Sequence, residues 1–158
     1  NMQTILYVVG KTDSYQLNSM MEDYKKRIQK YQRFEILTIT EIKNRGKLTQ
    51  SLQKQNEGNL TLKRIKENDY LVLLDETGKQ MDSLFFSNFI NTRRMGSHKR
   101  LIFLIGGPYG FSDSVYKRAN EKISLSIMTF SHQIIRLFFL EQLYRANTIL
   151  TNEPYHNK

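Results

Sequence analysis

The chain has 158 residues, enough for one domain with a sizeable core and short for two. It contains no cysteine, which excludes a disulfide framework and a thiolate metal site and agrees with a reducing compartment, the cytoplasm by default. The 24 Lys and Arg against 15 Asp and Glu give a formal charge of +9, a balance that favours polyanionic partners without choosing among them.

Residues 4–9 (TILYVV) form a short β-prone run ending at Gly10-Lys11, too brief for a signal-peptide core. Arg136 interrupts the longest apolar stretch, so neither export nor a membrane span is expected. Asp13 or Ser14 can cap a helix that runs to about Lys30. Its charged stripe, Lys25, Lys26, Arg27, Lys30 and Arg33, reads as a solvated face or, more sharply, as a patch for an RNA backbone. Residues 34–39 alternate as a strand, and 43–47, with Asn44 and Gly46, form a basic loop. The next stretch, 48–66, has the spacing of a largely wet polar helix with sparse apolar contacts at Leu52, Leu60, Leu62 and Ile65 and a weak point at Gly58-Asn59.

Residues 70–74 are apolar throughout, as in a central parallel strand covered on both faces, and 75–79 read as the turn beyond it. Met81-Asp82-Ser83 opens an amphipathic helix with Leu84, Phe85, Phe86, Phe89 and Ile90 as core contacts, ended by Arg93-Arg94-Met95-Gly96. A buried strand, 101–105, runs into the glycine turn 106–110, after which Ser112 and Asp113 can cap another helix. A second apolar segment, 123–130, leads through Ser131-His132 into a helix over 134–150. This alternation predicts an α/β domain with a parallel sheet between two helical layers.

The turn Gly106-Gly107-Pro108-Tyr109-Gly110 lacks the spacing of either familiar phosphate loop, which counts against ATP and NAD. Glycines after a buried strand suit close approach by a nucleoside-sized cofactor, or form a tight turn with no ligand. Ser126 and Thr129 among apolar neighbours give the mixture that an adenine pocket needs, or a core strand with capping hydroxyls. The apolar residues of 134–150 cover more than one face, more than a single sheet covers, and point to a homodimer interface. Glu141 and Arg145 stand four apart and can pair. His98, His132 and His156 are too scattered for a metal site; His132 reads as a structural helix-start residue or as an acid-base group. The tail from Asn152 reads as disordered by position, yet Tyr155 and His156 are able to stack on a base.

Taken together, the segments IGGPYG (105–110), LSIMTFSH (125–132), EQLYRA (141–146) and the terminal Pro154-Tyr155-His156 resemble the RlmH family, SPOUT-superfamily methyltransferases of bacterial large-subunit ribosomal RNA. The resemblance spans the whole chain, 1–158, as one domain. It implies a three-layer α/β/α fold with a mostly parallel sheet and a C-terminal deep trefoil knot. It implies S-adenosylmethionine as cofactor, contacted by Leu74, Gly106 and the segment Leu125, Ser126, Ile127, Met128, Thr129 and Phe130. The implied reaction is methylation of N3 of a pseudouridine in helix 69 of 23S rRNA, by a homodimer acting on assembled ribosomes. Within that reading His132, or Tyr155 and His156 from a partner's tail, orient the base, while Arg136, Arg145 and Lys158 steer phosphates; no metal takes part. Ser131 stands where the family commonly has Pro, and Tyr109 where it often has an acidic or small polar residue. The rival readings are a knotted RNA-binding protein without catalysis and an α/β module for another small nucleotide.

Overall fold

The computed structural model of the chain describes residues 2–43 and 46–157, so Asn44 of the basic loop and Lys158 lie outside the described residues. Five strands form one sheet in the order β2-β1-β4-β3-β5, with every neighbouring pair parallel. They are β1 (Gln3–Val9), β2 (Phe34–Ile39), β3 (Tyr70–Gln80), β4 (Arg100–Ile105) and β5 (Glu121–Ser124). The connecting helices are α1 (Tyr15–Gln29), α2 (Gln50–Leu62), α3 (Ser83–Arg94) and α4 (Asp113–Arg118), and α5 (Ile134–Leu150) closes the chain.

Period-2 alternation along each strand sends its apolar side chains to two different cores. Leu6, Phe103 and Val72 share one cross-strand row and pack under α1, α3 and α5, against Ile28, Phe86, Phe139 and Leu140. Tyr7, Leu104 and Leu73 form the next row and face α2 and α4, against Leu60, Phe111 and Val115. The three layers follow from that division. Caps follow the side chains available: Ser14, Thr49, Asp82 and Ser112 each accept from a backbone N–H of the first helical turn.

Three expectations need correction. The segment 75–79 is part of β3, where a bulge lets both Leu74 and Lys79 oppose Ile123. Gly78 is obligatory at that crossing, since a Cβ there would stand 2.7 Å from the Ile123 backbone. The second apolar segment is a strand only as far as Ser124; 125–130 is a loop. In α2 the buried residues are the polar Gln53, Glu57 and Thr61 together with Gly58, while Leu52 is exposed. Gly58 is a contact rather than a weak point, because a Cβ would fall 2.2 Å from Ser112 Oγ on α4.

The homodimer reasoning also changes. Leu137, Phe139, Leu140 and Leu143 of α5 are buried inside the protomer, because α1 and α3 cover what the sheet leaves open. The tail is packed rather than loose: Tyr155 Oη donates to Glu141 at 2.9 Å and its ring meets Tyr144 at 4.8 Å. Tyr31 Oη donates to Glu153 at 2.6 Å, and that bond, with some burial, pushes the Tyr31 hydroxyl up to about 12.

Also at the amino ends of the strands, Asp69 accepts from Arg100 Nε at 2.9 Å and Nη2 at 2.6 Å, tying the start of β3 to the start of β4. Burial alone would raise the Asp69 carboxyl, but the Arg100 bonds and the Lys66 N–H outweigh it and hold it below its ordinary value. A depressed carboxylate contributes stability above its unfolded value, about 3.9, and loses it as pH falls through the lower folded value. The melting-temperature gap between wild type and Asp69→Asn should therefore stay constant from neutral pH down to about 5 and close below about 4. A gap that does not change with acid would show that the pair contributes nothing.

Candidate functional site

The carboxyl ends of β3, β4 and β5 enclose a cavity of about 490 Å³, the place where an open parallel sheet holds its ligand. Leu74 lines it from β3 just before the bulge, Gly106 from the end of β4, and Leu125, Ser126, Met128, Thr129 and Phe130 from the loop after β5. The three places that the resemblance implied therefore line one cavity. Ile127 is the exception: 86% exposed, its side chain points away from the cavity.

The glycine loop is shaped by contact more than by dihedral angle. A Cβ on Gly106 would sit 2.9 Å from the ring of Phe111, which is itself buried between the loop and α4. Gly107 lies over Glu57 of α2, 3.4 Å from a built Cβ to Oε1, and Gly110 takes a positive φ of 78° to close the turn onto Gly107. Tyr109 stands outside the cavity. In the third loop Ser126 Oγ accepts from Met128 N at 2.9 Å and Ser124 Oγ donates to Ser126 O at 2.8 Å, so Ser126, read as a pocket hydroxyl, also holds the loop in shape. Ser131 does what its position requires: its Oγ accepts from Ile134 N at 3.2 Å and its carbonyl from Ile135 N, so α5 starts without a proline.

Sequence reasoning missed a polar cluster that lines the same cavity. Asp75 accepts from Thr77 N at 2.9 Å, from Thr77 Oγ1 at 3.0 Å and from Tyr116 Oη. Burial alone would raise the Asp75 carboxyl, but these donors outweigh it and hold it ionised, while burial and the same contact push the Tyr116 hydroxyl up. The missed signal was the D-x-T spacing of an Asx turn, which looked like the end of a strand and was its bulge. Glu57 was also missed. It is 5% exposed with Oε2 unpartnered, and burial pushes its carboxyl up. No period marks it, because α2 turns a polar face inward.

The remaining candidates divide. His132 lines the cavity. Tyr155 and His156 do not; they lie against Glu141 and Arg145, beyond the second turn of α5. Arg145 donates to Glu141 Oε2 at 2.8 Å and to His156 Nδ1 at 3.1 Å, so much of its donor capacity is used within the protomer. Arg136 must be withdrawn as a phosphate contact. It is fully buried, and its guanidinium donates to Val9 O at 2.8 Å, Gly10 O and Thr12 Oγ1 at 3.0 Å and His132 O at 3.1 Å. Burial pushes its pKa down, and the nearby Asp13 and Glu41 charges offset part of that. The long apolar helix around it was the signal that Arg136 faces inward.

The cavity is flanked by main chain, hydroxyls and apolar surface, a lining that suits an adenosine-like ligand. Comparison with known proteins agrees with that chemistry. Residues 2–156 match the family model described as "Predicted SPOUT methyltransferase". The Ribosomal RNA large subunit methyltransferase H of Parabacteroides distasonis is 53% identical over 153 residues, 97% of this chain and 98% of that protein. The protein of the same name from Bacteroides thetaiotaomicron is 49% identical over 157 residues, 99% of this chain and 100% of the relative. Among solved structures, the tRNA (m1G37) methyltransferase of Aquifex aeolicus aligns with a TM-score of 0.56 at 14% identity, covering 100% of this chain and 76% of that one. A putative methyltransferase from Legionella pneumophila, solved with bound SAM, aligns with a TM-score of 0.51 at 12% identity over 92% of this chain and 66% of that one. Those two likenesses concern the fold. The match over nearly the full length, with identity near one half, places this chain in the SPOUT methyltransferases, in the family of the ribosomal RNA large subunit methyltransferase H proteins.

Proposed function

We propose that the protein is an S-adenosylmethionine-dependent methyltransferase of large-subunit ribosomal RNA, acting in the cytoplasm as a homodimer on assembled ribosomes and methylating N3 of a pseudouridine in helix 69. The observation that carries this reading is the meeting of Leu74, Gly106 and residues 125, 126 and 128–130 around one cavity. Family membership adds the implied knot, in which the C-terminal segment threads before α5 packs against α1 and α3. The named relatives add the RNA class.

The residues present fit the cofactor. A volume near 490 Å³ is in the range of small-ligand pockets, and its lining of glycine main chain, hydroxyls and apolar side chains matches the donor and acceptor set of a nucleoside. When bound, the cofactor supplies an electrophilic methyl group on a sulfonium. The chain's own work is to bind and orient. The loops after β4 and β5 offer main-chain groups to a nucleoside, Leu125 and Phe130 exclude water, and ionised Asp75 faces a cationic ligand with a complementary charge. A ring nitrogen of the acceptor must lose its proton before or during methylation, and the His132 imidazole on the cavity wall is the group placed to accept it. Exposed Tyr15, Met20 and Phe138 give a partner protomer apolar surface, and a partner's Tyr155-His156 tail would reach a site that the protomer's own tail does not.

Transfer of a tritiated methyl group to 70S ribosomes, followed by mapping of the modified nucleoside, tests the whole reading. Label on a helix 69 pseudouridine is the expected result; RNA binding without transfer, or selective binding of another nucleotide, would replace it. His132→Ala, assayed in single turnover at saturating cofactor, should slow transfer about 100-fold or more if the imidazole takes the proton. An unchanged rate would remove His132 from the mechanism.

A further inference from the structure

The glycine loop that lines the cavity has a buried carboxyl against it. A Cβ built on Gly107 would stand 3.4 Å from Glu57 Oε1, 4.0 Å from Glu57 Oε2 and 3.7 Å from Val9, so Gly107 borders the cavity and the α2 carboxyl alike. The next residue of α2, Gly58, packs on Ser112 of α4 with no room for a side chain, which fixes how deep Glu57 sits.

The polar groups at that spot are out of balance. Glu57 and Gln53 lie one helical turn apart, each is 5% exposed, and each has an oxygen without a donor: Oε2 of Glu57 and Oε1 of Gln53. The Gln53 amide nitrogen is committed to Ile42 O at 3.0 Å. Among the described residues, the charged group that acts on Glu57 is a second carboxylate, Glu41 from the loop after β2. Around it β1 presents Val9, the glycine loop presents main chain, and α4 presents Ser112 and Val115 beside Gly58. Burial is the largest influence on its charge; Gln53 and the Ile42 N–H favour the anion, Glu41 opposes it, and the balance pushes the carboxyl up. A protonated carboxyl has the O–H donor that a carboxylate lacks, and Gln53 Oε1 is an acceptor in want of one, so a single proton satisfies both oxygens.

We propose that Glu57 is a positioning residue for S-adenosylmethionine: neutral and hydrogen-bonded to Gln53, it supports Gly107 from behind, and its ionisation displaces the glycine loop and weakens cofactor binding. The proposal rests on the methyltransferase reading above. An anion buried beside Glu41 gains by drawing in water or main-chain N–H groups, and the main chain next to it is that of the cavity lining. The sign follows from linkage. If the cofactor prefers the form that keeps the proton, affinity falls as pH rises through the raised value of Glu57, and binding takes up a proton there.

Full-length wild type and Glu57→Gln are compared by calorimetric titration with S-adenosylmethionine from about pH 5 to about pH 8, in two buffers of different ionisation enthalpy. Wild-type Kd should rise about tenfold or more over the range, the effect of one unit between the carboxyl's free and bound pKa, with proton uptake on binding. Glu57→Gln, whose amide has the donor and acceptor of a neutral acid, should keep the low-pH affinity throughout and lack that uptake. Without cofactor, wild type should show the infrared band of a protonated carboxyl above the ordinary carboxylate range, and Glu57→Gln should not. Parallel pH profiles in the two proteins, the result for a side chain that serves the fold alone, would overturn the proposal. So would identical infrared spectra, or a Glu57→Gln that does not fold, since the fold would then need the charge. Wild-type protein that binds no S-adenosylmethionine at any pH would defeat the functional reading itself, with the infrared band still reporting on Glu57.

Discussion

Arg136→Met is expected to destabilise the protein by about 3–5 kcal/mol, the scale for removing one partner of a buried, fully bonded charge. The guanidinium joins two parts of the chain that meet only in the folded state: residues 9–12 after β1, through Val9 O, Gly10 O and Thr12 Oγ1, and the entrance to α5, through His132 O. Methionine keeps the stem and the volume but leaves three carbonyl oxygens and a hydroxyl without their donor, at roughly 1–3 kcal/mol for each that stays buried and dry. For a chain of this size the loss corresponds to a fall of roughly 6–20 °C in melting temperature. Arg136→Lys should recover only part of it, since one ammonium cannot span the acceptors that a planar fork reaches. Thermal melts and urea titration of the three proteins decide the matter. Normal stability combined with lost ribosome binding would return Arg136 to the phosphate contacts from which its burial excludes it.

Gly106→Val should leave the sheet intact and weaken S-adenosylmethionine binding strongly. The built Cβ already overlaps the Phe111 ring at 2.9 Å, and that ring is held from the other side by Tyr116, 5.7 Å away and edge on. Overpacking of about 1–3 kcal/mol, released by pushing the loop into the cavity, corresponds to roughly a 5- to 150-fold rise in cofactor Kd. Calorimetric titration gives the affinity, and far-UV circular dichroism with a thermal melt reports the fold. Wild-type affinity would show that the loop after β4 takes no part in holding the cofactor. Gly107→Ala, whose nearest contact is a more ordinary 3.4 Å, is the matched control for a change in the same turn.

How far the sequence could be read depended on how local each signal was. The strands at 34–39 and 101–105 and the helix at 134–150 fall within a residue of where they were expected, because alternation and helical periodicity are carried by neighbours in the chain. The caps at Ser14, Asp82 and Ser112 are equally local. Where the expectations failed, a distant segment had intervened. The bulge at 75–78 exists because β5 pairs twice with β3, and the polar inward face of α2 exists because Glu57 and Gly58 meet the glycine loop and α4. The apolar excess of α5 looked like an interface because nothing in the sequence says that α1 and α3 flank the same helix.

By itself the sequence determined the alternation of elements, the absence of thiol chemistry, and the glycine and hydroxyl segments that make a nucleoside-like ligand chemically reasonable. Tertiary structure alone decided that Leu74, Gly106 and residues 125, 126 and 128–130 share a cavity, that Asp75 and Tyr116 line it with them, and that Arg136 is a buried tie instead of a surface cation. The physical reason is the parallel sheet. Its crossovers bring together the carboxyl ends of strands that are far apart in the chain, and a side chain's charge does not reveal whether water or carbonyl oxygens will solvate it.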